Sequence, residues 1–594
     1  MKLTKLTDNK SIIILIVLCL ALSLPLLFNI TNWGRYEWGS HIEIDATIRE
    51  SVMQNHEFPF WNKYVCGGVP LFANPQSRLF SPFFIFTLLF GEFVGLKLEI
   101  IIHLLIGLLG MYFLARYKKI SLEGSILASV VYMFSTVFPL QVLSGTTEWM
   151  SMAILPFIIL FLLKSFSDKK NIIIASILLA LVFFDGGLYT FPLIILFLMI
   201  YGIFESVFQK RIELIKIVLI IIIFAVLLTS IKLIPTLTAL NDGSIGADVK
   251  EEYTSFNTLI KGLFQRNQGF FSQAETFSDL HDKALNSNQS IRSWIEYGAY
   301  IGIIVFLLLL MSFLNFKEKS LTLTILICLI LYFGHHSIIN LWFLLKKLPF
   351  YEILHTPSRF LFLIIFGIGL LSARGLDNLF ERKNLFKKNL KIFIVLIVIL
   401  DLFIVSVPLY KESFKATPLN IIKEPEFHQR DKIINQIQQA DYLFDDNYLA
   451  YLENSGLVGT CNSIFLSHST KKTNEFGVPT TVIFYESSEY KGNAYFKTEN
   501  KTVNVEMTNN KFRISFEPGT NDELILNQNY FSGWKSDRPV FEIDGKPAVK
   551  VNPEDNYIEF YYVQKNFLLG LIITILSLLL FCFITIFFNK NNKK

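Results

Sequence analysis

Long apolar runs alternate with short polar stretches along this chain, and basic residues gather at every second end of the runs. The first run, 11–30, follows Lys2, Lys5 and Lys10 and is long enough to cross roughly 30 Å of hydrocarbon as a helix. No small-x-small cleavage site follows it, so it reads as an uncleaved first span rather than a signal peptide. Runs 99–117, 149–166, 189–208, 294–316, 359–379 and 566–588 each close on lysines or arginines, such as Arg116, Lys164, Lys210, Lys317 and Arg374. Runs near 122–143, 171–186, 213–240, 320–339 and 389–410 return between them. Positive residues mark the cytoplasmic side, so the pattern predicts about twelve crossings with both termini in the cytoplasm. The apolar piece 80–90 is too short and is broken by Pro82, which makes it re-entrant or interfacial.

This topology turns four polar pieces outward: the first outer loop 31–82, the turn 144–148, the loop 241–292 and the stretch 335–359. A hydrophilic insertion, 411–565, also falls outside, before the last span and basic tail at 566–594. It starts with a helical pattern over 424–444 and then changes period. Val503, Val505 and Met507 alternate before Asn509-Asn510, and Phe512, Ile514 and Phe516 alternate after it, which predicts a hairpin. Asp544-Gly545 marks another. The expected fold is a polytopic α-helical membrane protein whose multi-span part is 1–410, with a small extracytoplasmic β-sandwich in 411–565.

A hydrophobic content of 52% with 58 phenylalanines in 594 residues excludes a soluble enzyme, and a net charge of +5 makes no case for nucleic acid. Five cysteines without a CxxC build no disulfide framework. Cys66 and Cys461 fall on the same side, so a bond between them stays open.

The first outer loop holds Glu43, Asp45, Arg49, Trp61, Asn62, Lys63 and Arg78 between two apolar runs. Outward carboxylates are usually only solvated, but Asp45 is followed one helical turn on by Arg49 and then by an aromatic stretch. Such a stretch holds a short helix against the membrane surface and desolvates one face of it. A carboxylate so placed has its basicity tuned and can take a proton from an attacking hydroxyl. Group transfer from a lipid phosphate also needs a cation at the boundary, for which Arg359, Arg78 and Lys63 are candidates; snorkelling to lipid headgroups is their structural alternative. Glu148, at the head of a run, is an interfacial cap or a second acid. His335, His336 and His355 with Glu352 match no standard ligand spacing, so no metal site is assigned and a divalent ion stays open. The tryptophans fit an interfacial belt as easily as sugar stacking.

The segment FPFWNKYVCGGVPLFANPQSRLFSPFF, the span opening HTPSRF and ending ARGLDNL, and NQNYFSGWKSDRPVFEIDGKPAVKVN occur in this order. Together they resemble the YfhO-like family of bacterial membrane proteins, over roughly residues 11 to 588. The resemblance implies a GT-C glycosyltransferase in the cytoplasmic membrane. Its donor would be a polyprenyl-phosphate sugar, and its acceptor a cell-surface polymer such as teichoic acid, met on the outer face. It also implies Asp45 as catalytic base. It does not assign the phosphate-binding residues, so Arg359, Arg78 and Lys63 rest on the charge argument alone. Where many relatives carry a Gly-His pair, this chain reads SGTTE at 144–148, so no histidine role is carried over there.

Two other classes remain open at this level. A lipid-linked saccharide exporter needs ionisable residues lining a path, whereas here they cluster at the surfaces, with Lys232, Asp401 and His103 the main exceptions. A non-catalytic envelope assembly protein predicts that Asp45 is dispensable.

Overall fold

The computed structural model describes residues 7–244, 250–269, 278–315, 317–352, 354–380, 385–431, 446–458, 466–467 and 482–591. Among the described residues nine helices are long and apolar enough to cross a membrane, from Asn9–Phe28 to Asn389–Ser413. Three shorter apolar helices, Lys170–Phe184, Lys319–Tyr332 and Phe567–Phe581, fall on the other runs of the sequence. The chain is a polytopic α-helical membrane protein. Side chains such as Ile13, Val17, Leu400 and Ile404 are exposed on the outer helices, where lipid is their solvent, while Leu361–Leu379 is buried along most of its length.

Prolines set where the runs break. The run at 122–143 divides into Leu122–Phe134 and Val137–Ser144, with Ser135 extended between them. Pro139 has no N–H, and its ring would strike the carbonyl of Ser135 in a continuous helix. Pro156 acts alike, so the next run enters as a 3-10 turn, Thr147–Ile154, before Leu155–Lys164. The 80–90 piece is a turn, Pro82–Phe84, and a helix, Ile85–Phe90, that folds back on Glu92–Tyr117. The end of the first helix is tied down by Lys97, whose Nζ donates to the carbonyls of Asn29, Ile30 and Asn32, each at 2.7 Å.

Beyond Ser413 the expected helical pattern is overridden at 428–430. His428–Arg430 is a strand paired in parallel with Ser455–Leu457, and among the described residues of 411–565 a helix forms at Asp446–Glu453. Leu457 also takes Cys66 N onto its carbonyl at 2.7 Å, so the ladder runs on into the first loop. That long-range pairing outweighs local helix propensity. Residues 432–445 lie outside the described residues.

Two four-stranded antiparallel sheets then face each other. One orders its strands Phe541–Ile543, Lys546–Lys550, Glu523–Leu526, Ala494–Phe496; the other Trp534–Ser536, Tyr557–Tyr562, Lys511–Ser515, Asn504–Met507. The hairpins fall at Asn509-Asn510 and Asp544-Gly545 as the alternation predicts. Asp544 and Gly545 take φ of 47° and 74°, the left-handed pair that a two-residue hairpin with the right twist requires.

The first loop completes this sandwich. Trp61 is fully buried among Phe531, Trp534 and Tyr562, with ring centroids 4.6–5.9 Å away, and its Nε1 donates to Gln528 at 3.0 Å. In return the hairpin turn reaches the first loop: Asn510 Oδ1 accepts from the backbone N–H groups of Phe60 and Trp61 at 3.1 and 2.9 Å. Asn509 Nδ2 donates to Ser51 Oγ at 2.9 Å and to Thr47 O at 3.4 Å, at the end of the helix that carries Asp45.

Candidate active site

Asp45 sits on the helix Trp38–Arg49, which is buried over nearly its whole length. Trp38, Ile42, Ile44 and Ile48 pack it on several sides, so its polar residues must find partners inside the protein. Asp45 finds Arg78. The guanidinium donates from Nη2 to Asp45 Oδ2 and from Nη1 to Glu99 Oε2, a fork divided between two carboxylates. All three side chains are at most 2% exposed. Burial pushes the Asp45 carboxyl above its ordinary 3.8, and the Arg78 charge only partly offsets this.

The Arg78 loop is held from behind. Lys232 Nζ donates to the carbonyls of Pro75 and Ser77, and Thr236 Oγ1 to Ala73 O at 2.8 Å, both from the helix Glu213–Asp242. A Cβ on Gly186, which has a φ of +82°, would meet Gln76 O at 3.1 Å and Arg78 Cγ at 3.2 Å. A bare glycine there lets the loop close over the turn.

Glu99 and His103 lie one turn apart on Glu92–Tyr117. The carbonyl of Glu99 accepts from His103 Nδ1 at 2.8 Å, which leaves Nε2 to face Asp185 Oδ2 at 2.7 Å. Asp185 Oδ1 accepts from Ser81 Oγ at 2.8 Å, and Thr87 Oγ1 donates to Glu99 at 3.0 Å. Asp45 and Glu99 thus meet Arg78, and Asp185 meets His103, in one buried cluster, with Lys232 bonded to backbone carbonyls beside it. Of the ionisable residues that the sequence sets apart inside apolar runs, His103 belongs to it and Lys232 adjoins it. Glu99 and Asp185 carry no mark in the sequence beyond being charges in or beside such runs, the one signal that points to them.

A second group adjoins the same helix. His41, one turn before Asp45, lies 3.3 Å from Glu148 and 2.9 Å from Thr147 Oγ1. Glu148 is buried, and its Oε2 is the atom that faces His41 Nε2. Next to it Trp149 lies 5.9 Å from the guanidinium of Arg359, which stacks 3.7 Å over Tyr189 and donates to Glu296 Oε1 at 2.9 Å. The turn after Lys170–Phe184 joins the groups, since Asp185 belongs to the Arg78 cluster and Tyr189 carries Arg359.

The other expected site residues fall elsewhere. Glu43 is buried and accepts from Asn62 Nδ2 at 2.9 and 3.0 Å and from Thr47 at 2.7 Å, a tie between helix and loop. Arg49 is 3.9 Å from Glu92 and braces the outside of the helix. His355 lends its carbonyl to Glu252 N at 2.8 Å. His335 pairs with Glu251 at 2.6 Å and His336 with Gln289 at 2.7 Å. Among the described residues no group of three or more His, Cys, Asp and Glu could hold a metal ion. Lys63, expected beside a donor phosphate, lines a separate cavity with residues of the sandwich. Cys66 is disulfide-bonded, and Cys461 lies outside the described residues.

No family model matches the sequence. No curated protein matches it either. Among solved structures, the cryo-EM structure of the arabinofuranosyltransferase AftD from Mycobacteria is similar, with a TM-score of 0.45 and 15% identity. The match covers 68% of this chain and 27% of that one, so this chain spans about a quarter of that protein's length. The likeness to the YfhO-like family therefore stands on the three motifs alone.

Proposed function

We propose that this protein is a membrane glycosyltransferase of the GT-C type, moving a sugar from a polyprenyl-phosphate donor to a cell-surface glycan on the outer face of the membrane. The observation that carries the reading is the buried Asp45–Arg78 pair at the loop end of apolar helices: a tuned carboxylate and a cation on adjoining atoms. A donor phosphate reaching Arg78 competes with Asp45 for the same guanidinium and frees the carboxylate. The acceptor hydroxyl then attacks the anomeric carbon, its proton passes to Asp45, and the carbon–oxygen bond to phosphate breaks with the electron pair on the phosphate. Arg78 stabilises that leaving group, with Arg359 at the rim of the same end, and the anomeric centre inverts. Glu148, beside His41, is an accessory acid in this scheme. Closing the site within the protein keeps water from taking the acceptor's place.

Teichoic acid or another surface polymer is the acceptor this reading favours. Transfer of labelled hexose from polyprenyl phosphate, in membranes holding the wild type or Asp45→Asn, tests it.

A further inference from the structure

Between the sandwich and the strand His428–Arg430 lies a cavity of about 600 Å³, lined by Lys63, Phe427, His428, Tyr490, Asn493 and Asn504 among others. Its lining residues all come from the first outer loop or from 425–507, and none belongs to an apolar helix. Lys63 is 5% exposed, and its Nζ lies 5.0 Å from the Tyr64 ring and 5.4 Å from the Phe427 ring. Among the described residues its carbonyl accepts from Gln429 Nε2 at 3.3 Å, while its Nζ makes no hydrogen bond or ion pair. The nearby carboxylates are engaged elsewhere: Glu50 accepts from Tyr64 and Asn509, and Glu57 from Thr508. An ammonium so placed is costly unless something pairs with it. Burial lowers Lys63 to about 8, so it still carries its charge at neutral pH. Asn493, another lining residue, has a buried Oδ1 that accepts no hydrogen bond among the described residues. Lys491 and Lys501 join Lys63 in the lining, against Glu426 as its one acid.

We propose that this cleft is a binding subsite for an anionic stretch of glycan, with Lys63 pairing a phosphate or carboxylate, Asn493 Oδ1 accepting from a hydroxyl, and Phe427 and Tyr490 flanking the chain. Under the glycosyltransferase reading, on which only this assignment rests, the glycan is the acceptor. Asn62, the residue before Lys63, bonds Glu43 two residues ahead of Asp45, so the subsite adjoins the helix of the candidate active site.

The test is direct binding by the full chain in neutral detergent, with a fluorescent glycerol-phosphate oligomer and a neutral maltohexaose as probes. No donor is present, so binding stands or falls apart from transfer. The phosphate oligomer should bind, salt should weaken it, Lys63→Met should weaken it at least tenfold, and Lys63→Arg should retain most of it. Because Lys63 is buried, Lys491→Glu at the exposed rim gives a second reading and should weaken binding several-fold. Equal affinity for the neutral oligomer, or phosphate-oligomer binding unchanged in a folded Lys63→Met or in Lys491→Glu, would overturn the proposal.

Discussion

Arg78 reaches Asp45 with one guanidinium nitrogen and Glu99 with the other, so a single loop residue neutralises carboxylates from two helices that are far apart in sequence. Removing one partner of such a buried set strands the others in a medium that solvates them poorly.

Arg78→Met is therefore expected to lose about 3–5 kcal/mol of stability, the usual cost of an orphaned buried charge. Thermal unfolding in detergent should register this as a clear drop in Tm. Arg78→Lys, which keeps one cation without the fork, should fall between. A Tm equal to wild type in Arg78→Met would contradict the pairing.

Activity should rise with pH along an acid limb displaced upward from the ordinary carboxylate value of 3.8, because Asp45 acts only when ionised and burial raises it. The Arg78 charge lowers that value, so Arg78→Gln should move the limb higher still, alongside its loss of rate. A profile of kcat/KM against pH measures both shifts. An unmoved limb in Arg78→Gln would separate the limb from Asp45.

The sandwich and the Asp45 helix should come apart together. Trp61→Ala removes a side chain packed wholly inside the sandwich and is expected to cost about 3–5 kcal/mol. Asn510→Ala leaves two backbone N–H groups without their acceptor, for about 1–3 kcal/mol. Limited proteolysis of the 411–565 region should speed up in both variants, with Trp61→Ala the faster.

Glu252 gives a second pH signature. It accepts from Ser358 N and Oγ at 2.9 and 2.8 Å, just before Arg359, and burial, then Glu296, raises its carboxyl from 4.5 to about 8. A raised carboxyl favours the folded state most when protonated, so its contribution is full below 4.5 and is lost as pH rises to about 8. Tm should decline across that window, and Glu252→Gln should flatten the decline.

Much of the helical frame was legible because a membrane span is a local property, about twenty apolar residues with charge at the ends. The two hairpins were legible for a similar reason, since alternation around Asn509-Asn510 and Asp544-Gly545 is short-range. Asp45 stood out as an acid between apolar runs. Arg78 stood out as a boundary cation, but Glu99 and Asp185 did not, because Glu99 meets Arg78, and Asp185 meets Ser81 and His103, only through packing of segments distant in sequence. Lys63 carried the right charge near the membrane boundary, but nothing local reveals that Phe427 and Tyr64 enclose it within reach of the sandwich. The pattern at 424–430 misled because the parallel partner of His428–Arg430 lies some 27 residues on, at Ser455–Leu457.

The central claim is that Asp45 is the base of a sugar transfer. Membranes with equal amounts of wild type, Asp45→Asn and Asp401→Asn, whose carboxylate pairs with Arg266 outside the cluster, would be given radiolabelled polyprenyl-phosphate hexose and a crude cell-wall acceptor. The account predicts label on the acceptor with wild type and Asp401→Asn, and none with Asp45→Asn at equal abundance of folded protein in the membrane. Transfer by Asp45→Asn at the wild-type rate would contradict it.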